Sequence, residues 1–130
     1  MKSIVIADHH PITAKGINSI IKKDKEAYNV SNIINSKEEL MDVLNTSYPN
    51  LIILDIEIPG FEGLTELKNL KNQNPETRII VFSQLPEALY ALSAIREGAS
   101  GYIPKNCSPK KFKKALDMVA RGGIYLSNKV

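Results

Sequence analysis

The chain has a single cysteine, Cys107, so no internal disulfide framework staples it, and that scarcity fits a reducing compartment. It has no apolar run near the ~20 residues that a membrane-spanning helix needs, and its N-terminus lacks the form of a secretory signal. It has no dense basic stripe either. Its 17 Lys and Arg against 14 Asp and Glu leave a net charge of +3, too mild to argue by itself for nucleic-acid binding. Glycine and proline, seven of each, are too few to mark a disordered or repetitive segment. Histidine is scarcer still: the only two stand side by side in "IVIADHHP", residues 4–11. What remains is 130 residues, 43% hydrophobic and 24% charged, which is one globular domain with its own core, expected in the cytoplasm and with no membrane partner.

Five apolar runs recur at regular intervals: "SIVIA" from Ser3, "VSNII" from Val30, "LIILD" from Leu51, "RIIVF" from Arg78 and "SGYIP" from Ser100. The third is apolar on both faces, as a parallel strand covered on both sides must be. Helical patterns fill the intervals. Ser36 and Glu39 form an S-x-x-E capping box ahead of Leu40, Val43 and Leu44. Ala88, Ala91, Leu92 and Ile95 recur at i, i+3, i+4 and i+7, with Pro86 placed for the first turn and Gly98 for the stop. Phe112, Ala115, Leu116 and Val119 repeat that spacing after Ser108 and Pro109, and segments 11–23 and 62–73 complete five helices. Repeated β-α alternation predicts right-handed crossovers and a parallel sheet with helices on both faces. The domain is expected over residues 1–122, with 123–130 a terminal tail or the start of a linker.

In such a sheet ligands bind beyond the carboxyl ends of the strands, at the switch point of the strand order. Those ends carry Asp8 with His9 and His10, Asp55 ahead of "IEIPG", Ser83, and Lys105 after "GYIP". Each alone has a plain explanation: the aspartates as turns or caps, the lysine as solvated, the serine as uninformative. Converging on one rim from different strands, they fit phosphoryl transfer to a carboxylate. Asp55 would be the nucleophile, carboxylates would bring a divalent cation, and Lys105 and Ser83 would meet the charge on the phosphoryl oxygens.

The same residues carry a family likeness. "LIILDIEIPGFEGL" resembles the phospho-acceptor strand and D-x-x-x-P-G turn of response-regulator receiver domains, and "REGASGYIPK" resembles their Gly-Ala-x-Gly-Tyr-x-x-Lys ending. "ADHHP" resembles the "DDHP" opening of the NarL/FixJ-type subgroup, and "VFS" matches the hydroxyl of the fourth strand. The resemblance covers essentially the whole chain. It implies a flavodoxin-like (βα)5 three-layer sandwich with strand order 2-1-3-4-5. It further implies that Asp55 is the phosphorylation site, Lys105 the phosphate-contacting lysine and Ser83 the switch hydroxyl. Tyr102 would be the switch aromatic, moving inward when Ser83 contacts the phosphoryl group. Magnesium would be held by Asp8, Asp55 and the backbone carbonyl of Glu57. The implied partners are a sensor histidine kinase, a second copy on activation, and DNA through a C-terminal helix-turn-helix domain that this chain does not contain. No enzyme activity is implied.

The likeness breaks at His9, which stands where the family places a second metal-ligating acid, while His10 matches the subgroup's ordinary histidine. Magnesium prefers oxygen and binds imidazole poorly. Three readings stay open: a weakened magnesium site, a site favouring a transition ion such as manganese or zinc, or an atypical pseudo-receiver that needs no phosphorylation. A bare helix-capping role for His9 is compatible with the first and third. Gln84 follows Ser83 where the family favours a smaller residue, which narrows access. Pro104 precedes Lys105, whereas many receivers place a cis proline after that lysine. Glu57 adds a carboxylate that either reaches the metal or faces solvent. Lys110, Lys111, Lys113, Lys114 and Arg121 give the last helix a basic face, read as solvated surface or else as a dimer or kinase-docking surface. Cys107 is read as a bystander. A flavin binder would want a Ser/Thr/Gly-rich loop where "DHHPITAKG" stands, and a haloacid-dehalogenase-type phosphatase would want Asp in place of His10.

Overall fold

The run Leu51–Leu54 has aliphatic side chains on both faces, and only helices above and below can cover such a strand. In the computed structural model, which describes residues 1–127, all four of these residues are buried at the centre of the sheet. The chain runs β1 (Lys2–Ala7), α1 (Pro11–Lys22), β2 (Tyr28–Ile34), α2 (Lys37–Thr46), β3 (Leu51–Leu54), α3 (Gly63–Gln73), β4 (Arg78–Ser83), α4 (Glu87–Arg96), β5 (Gly101–Pro104) and α5 (Pro109–Ala120). The strands pair in parallel in the order β2-β1-β3-β4-β5, the flavodoxin-like order expected from the likeness.

Alternate residues of each strand feed two cores. Ile4, Ile6, Ile53 and Phe82 pack with α1 and α5, whereas Val5, Ile52, Val81 and Tyr102 pack with residues of α2, α3 and α4. Local chemistry sets the helix ends. The Ser36 hydroxyl accepts from the Glu39 amide at 3.2 Å, and the Ser108 hydroxyl accepts from the Lys111 amide at 3.2 Å. α4 stops at Gly98, whose φ of +112° suits glycine and whose absent side chain leaves room for Lys71.

One expectation is corrected. On α4 the residues facing the sheet are Ala91 and Ala94, while Leu92 is 52% exposed and Ala88 also lies outside. Tyr102 is fully buried in the same cluster and supplies the bulk, so small residues bring the helix close. At Pro104 the backbone is unambiguous: no cis peptide occurs among the described residues, and the Lys105 amide donates to the Ser83 carbonyl at 2.9 Å.

Beyond α5 the chain turns back onto the sheet. Tyr125 bridges Gly101 in parallel, its amide donates to the Ser100 carbonyl at 2.9 Å, and the Tyr102 amide donates to the Tyr125 carbonyl at 3.3 Å. Over 123–127 the expected tail therefore docks on β5, and 128–130 lie outside the described residues. Among the described residues no helix is long and apolar enough to cross a membrane.

Candidate functional site

Register brings the site together. β1 and β3 pair Ala7 with Leu54, so Asp8 and Asp55 leave adjacent strands side by side. β4 and β5 pair Ser83 with Pro104, which sets Lys105 next to the serine. Asp8 is 4% exposed, Asp55 1% and Ser83 0%, an unusual depth for carboxylates. Each aspartate closes a local turn: Asp8 Oδ1 accepts from the His10 amide and Asp55 Oδ1 from the Glu57 amide, both at 2.8 Å.

One cation holds the acids. Lys105 Nζ donates to Asp55 Oδ2 at 2.8 Å and lies 3.1 and 3.0 Å from the two oxygens of Asp8. It also lies 2.8 Å from His10 Nδ1. An ammonium only donates, so this ring nitrogen is the accepting one. Two buried carboxylates and one ammonium leave the cluster with one uncompensated negative charge.

Both histidines reach the site. His9 Nδ1 sits 2.9 Å from Asp55 Oδ2, yet out of line for a hydrogen bond, and this buried atom has no hydrogen-bond partner. His10 Nδ1 is 3.7 Å from Asp8 Oδ1 and 3.9 Å from Asp55 Oδ2. The capping role left open for His9 does not hold, because the N-cap of α1 is His10 and no side chain caps there. His10 was the residue that sequence reasoning missed. The available signal was its place two residues after an aspartate, where an Asp-initiated turn folds the chain back.

A second set of contacts runs outward from Ser83. Its hydroxyl accepts from the Leu85 amide at 3.0 Å, while the Tyr102 hydroxyl donates to the Leu85 carbonyl at 2.7 Å. Leu85 is thus gripped from both sides. Tyr102 is already inward and fully buried, and that burial raises the phenol pKa above its ordinary value. Beside these residues a cleft of about 610 Å³ opens between 83–88 and 104–106. Across the mouth, the Gln84 amide donates to Glu57 Oε1 at 3.2 Å, so the Glu57 side chain is held by Gln84, away from the clustered ligand atoms.

Two buried carboxylates, Asp8 and Asp55, offer the hard oxygen donors that magnesium prefers. His9 removes one charged oxygen from that set. Elsewhere, burial raises the Cys107 thiol pKa, which fits a bystander. Lys110, Lys111, Lys114 and Arg121 are exposed on or beside α5, but Lys113 is tied to Asp24 and Asp117.

Comparison with known proteins agrees with this geometry. A family model described as response regulator receiver domain matches residues 4–117. The fimbriae Z protein of Salmonella typhimurium is 36% identical over 120 residues, 92% of this chain and 57% of its own length. The nitrate/nitrite response regulator protein NarL of Escherichia coli is 31% identical over 125 residues, 96% of this chain and 57% of its own. The chain therefore spans little more than half the length of these relatives. Among solved structures, a LuxR-family two-component response regulator from Aurantimonas superposes with a TM-score of 0.87 at 24% identity, covering 98% of this chain and 91% of that one. RcsB from Salmonella enterica serovar Typhimurium, bound to promoter rprA with phosphomimetic BeF3−, gives 0.89 at 25% identity, covering 100% of this chain and 66% of that one.

Proposed function

Because this chain belongs to the response-regulator receiver family, in its NarL/FixJ-type branch, we propose that it is the phospho-accepting domain of a two-component transcription regulator, with Asp55 as acceptor. As a receiver domain it is not an enzyme. One observation carries the reading: Asp55 is 1% exposed, and one of its oxygens is bonded to Lys105, which also binds Asp8. In the transfer, an Asp55 oxygen attacks the phosphorus of a phosphohistidine on a sensor kinase. The O–P bond forms as the P–N bond breaks, and the imidazole leaves with the electron pair. Lys105, bonded to Asp55, then faces the phosphoryl oxygens. Ser83 donates its hydroxyl to one of them.

Magnesium, when bound by Asp8, Asp55 and the Glu57 carbonyl, supplies positive charge to the phosphoryl oxygens. With His9 in place of an acid it binds weakly, and manganese is the better hard ion. The output runs through Leu85. Recruiting Ser83 to the phosphoryl group frees the Leu85 amide while Tyr102 keeps its carbonyl, which shifts the β4–α4 loop and α4 between two arrangements. Dimerisation changes with that shift. DNA binding belongs to a segment outside this chain, as the greater length of the promoter-bound neighbour supports.

The test is intact mass after acetyl phosphate or phosphoramidate, with and without magnesium. The expected gain is one phosphoryl group, lost in Asp55→Asn; modification persisting in that variant overturns the assignment. His9 favours a second reading, a pseudo-receiver that acts as an interaction module. It predicts no gain of mass with any cation.

A further inference from the structure

Two histidine nitrogens enter the cluster of oxygen ligands: His10 Nδ1 meets only the Lys105 ammonium, and His9 Nδ1 has no hydrogen-bond partner. We propose that Asp8, His9, His10 and Asp55 form a site for a borderline dication of the zinc type, which enters by displacing the ammonium of Lys105.

The spacing supports a single shared ion. One ligand atom from each of these four residues can be chosen so that all lie within 4.8 Å of one another. Around an ion with bonds of ~2.1 Å, neighbouring ligands stand roughly 3.0–3.4 Å apart. His9 Nδ1 and Asp55 Oδ2, at 2.9 Å, stand slightly closer than that spacing, so little movement is needed to share an ion. His10 Nδ1 lies a little farther out, 3.7 Å from Asp8 Oδ1 and 3.9 Å from Asp55 Oδ2, and would have to draw in to share the ion.

Electrostatics supports it independently. His9 Nδ1 is buried with no hydrogen-bond partner, although a carboxylate oxygen lies beside it. With no hydrogen bond between them to break, the ring nitrogen and the carboxylate oxygen are both open to a shared cation. A cation does occupy the other half of the cluster: Lys105 Nζ lies 2.8 Å from Asp55 Oδ2, 3.0 Å from Asp8 Oδ2 and 2.8 Å from His10 Nδ1. The ammonium thus takes the oxygen and nitrogen donors that a metal would use. A dication binds the same donors at shorter range and with twice the charge. Two imidazoles with two carboxylates select zinc, cobalt or nickel over magnesium, which gains little from nitrogen. The histidines, 30% and 39% exposed, leave a path of entry over otherwise buried acids.

One consequence rests on the phosphoryl-acceptor reading above. An ion on Asp55 Oδ2 displaces Lys105 from the acceptor carboxylate, so a zinc-type ion and phosphoryl transfer to Asp55 oppose each other.

The experiment is a titration of the purified chain with cobalt(II), in magnesium buffer without phosphodonor, followed by competition with zinc. Intense ligand-field absorption, abolished by one equivalent of zinc, is the expected result. His9→Gln and His10→Gln should each weaken cobalt binding by about tenfold or more, in the range seen when groups that support a metal are lost. Lys105→Ala should tighten it, because the competing cation is gone. Circular dichroism checks that each variant folds. The wild type gives a readout free of mutation, since imidazole NMR signals of both histidines should shift on adding zinc. Histidine signals that stay still, or cobalt affinity unchanged in Lys105→Ala, overturns the proposal. A flat titration leaves the acceptor reading intact, and a failed mass gain at Asp55 leaves the titration intact.

Discussion

Two lysine-centred clusters sit at opposite ends of this sheet, and they are built from the same residue types. At the carboxyl rim, Lys105 joins Asp8 and Asp55; at the other end, Lys113 lies 3.0 Å from Asp24 and 3.0 Å from Asp117. The lower cluster is half in water, with side chains 29%, 37% and 30% exposed. Its spare capacity is used up, because the Tyr28 hydroxyl donates to Asp117 at 2.6 Å and the ammonium rests over the Tyr28 ring. Burial and that hydrogen bond raise the Tyr28 pKa, so the phenol stays a donor. For Lys113, burial opposes the charge, but the bonds to Asp24 and Asp117 outweigh it and raise the pKa. The upper cluster has carboxylates 2% and 1% exposed and a histidine nitrogen with no hydrogen-bond partner. Composition is shared; burial and unused ligand atoms separate a structural ion pair from a site.

Removing each lysine tests this most sharply. Lys105→Ala leaves two buried carboxylates facing each other and should cost about 3–5 kcal/mol in urea unfolding without divalent ions. Lys113→Ala should cost ~1 kcal/mol or less, since water and Tyr28 remain. Equal costs would break the comparison. Tyr102→Phe comes next, at about 1–3 kcal/mol, because it strands the Leu85 carbonyl; beryllofluoride with magnesium should then perturb NMR signals of α4 and β5 less than in the wild type. His9→Asp should tighten magnesium by about tenfold through a charged oxygen ligand, worth ~1.4 kcal/mol, as read by titration. Unchanged affinity would show that His9 faces away from the ion. The smallest effect belongs to Lys114→Ala on the open face of α5, within roughly 0.5 kcal/mol.

The legible part of the fold was the part governed by period. Runs such as Leu51–Leu54 and the α5 stripe Phe112, Ala115, Leu116 and Val119 bury as their spacing demands. Asp55, Asp8, Ser83 and Lys105 were legible because strand ends in a parallel sheet share one rim. What escaped depended on distant partners. Leu92 lay on a good helical stripe, yet Tyr102 from another strand took the space beneath α4. Lys113 counted as a free surface charge until Asp24, 89 residues away, closed on it. Glu57 was weighed between metal and solvent, and Gln84 claimed it. His10 passed as ordinary because only the turn at Asp8 carries it to Lys105.

The docking of Tyr125 on β5 has a consequence for how copies of this chain meet one another. An open five-stranded sheet offers two edges of unpaired amides and carbonyls, each a template for strand addition by a neighbour. On one side, the backbone bonds of Tyr125 to Ser100 and Tyr102 consume that template at β5. On the other, the β1–β2 register slips between Ile4 and Val5, leaving an irregularity beside Ser31 that bends β2 away from a flat ladder. Both margins are thereby blunted against edge-to-edge polymerisation. A neighbouring copy would therefore meet side-chain surfaces in preference to backbone ladders.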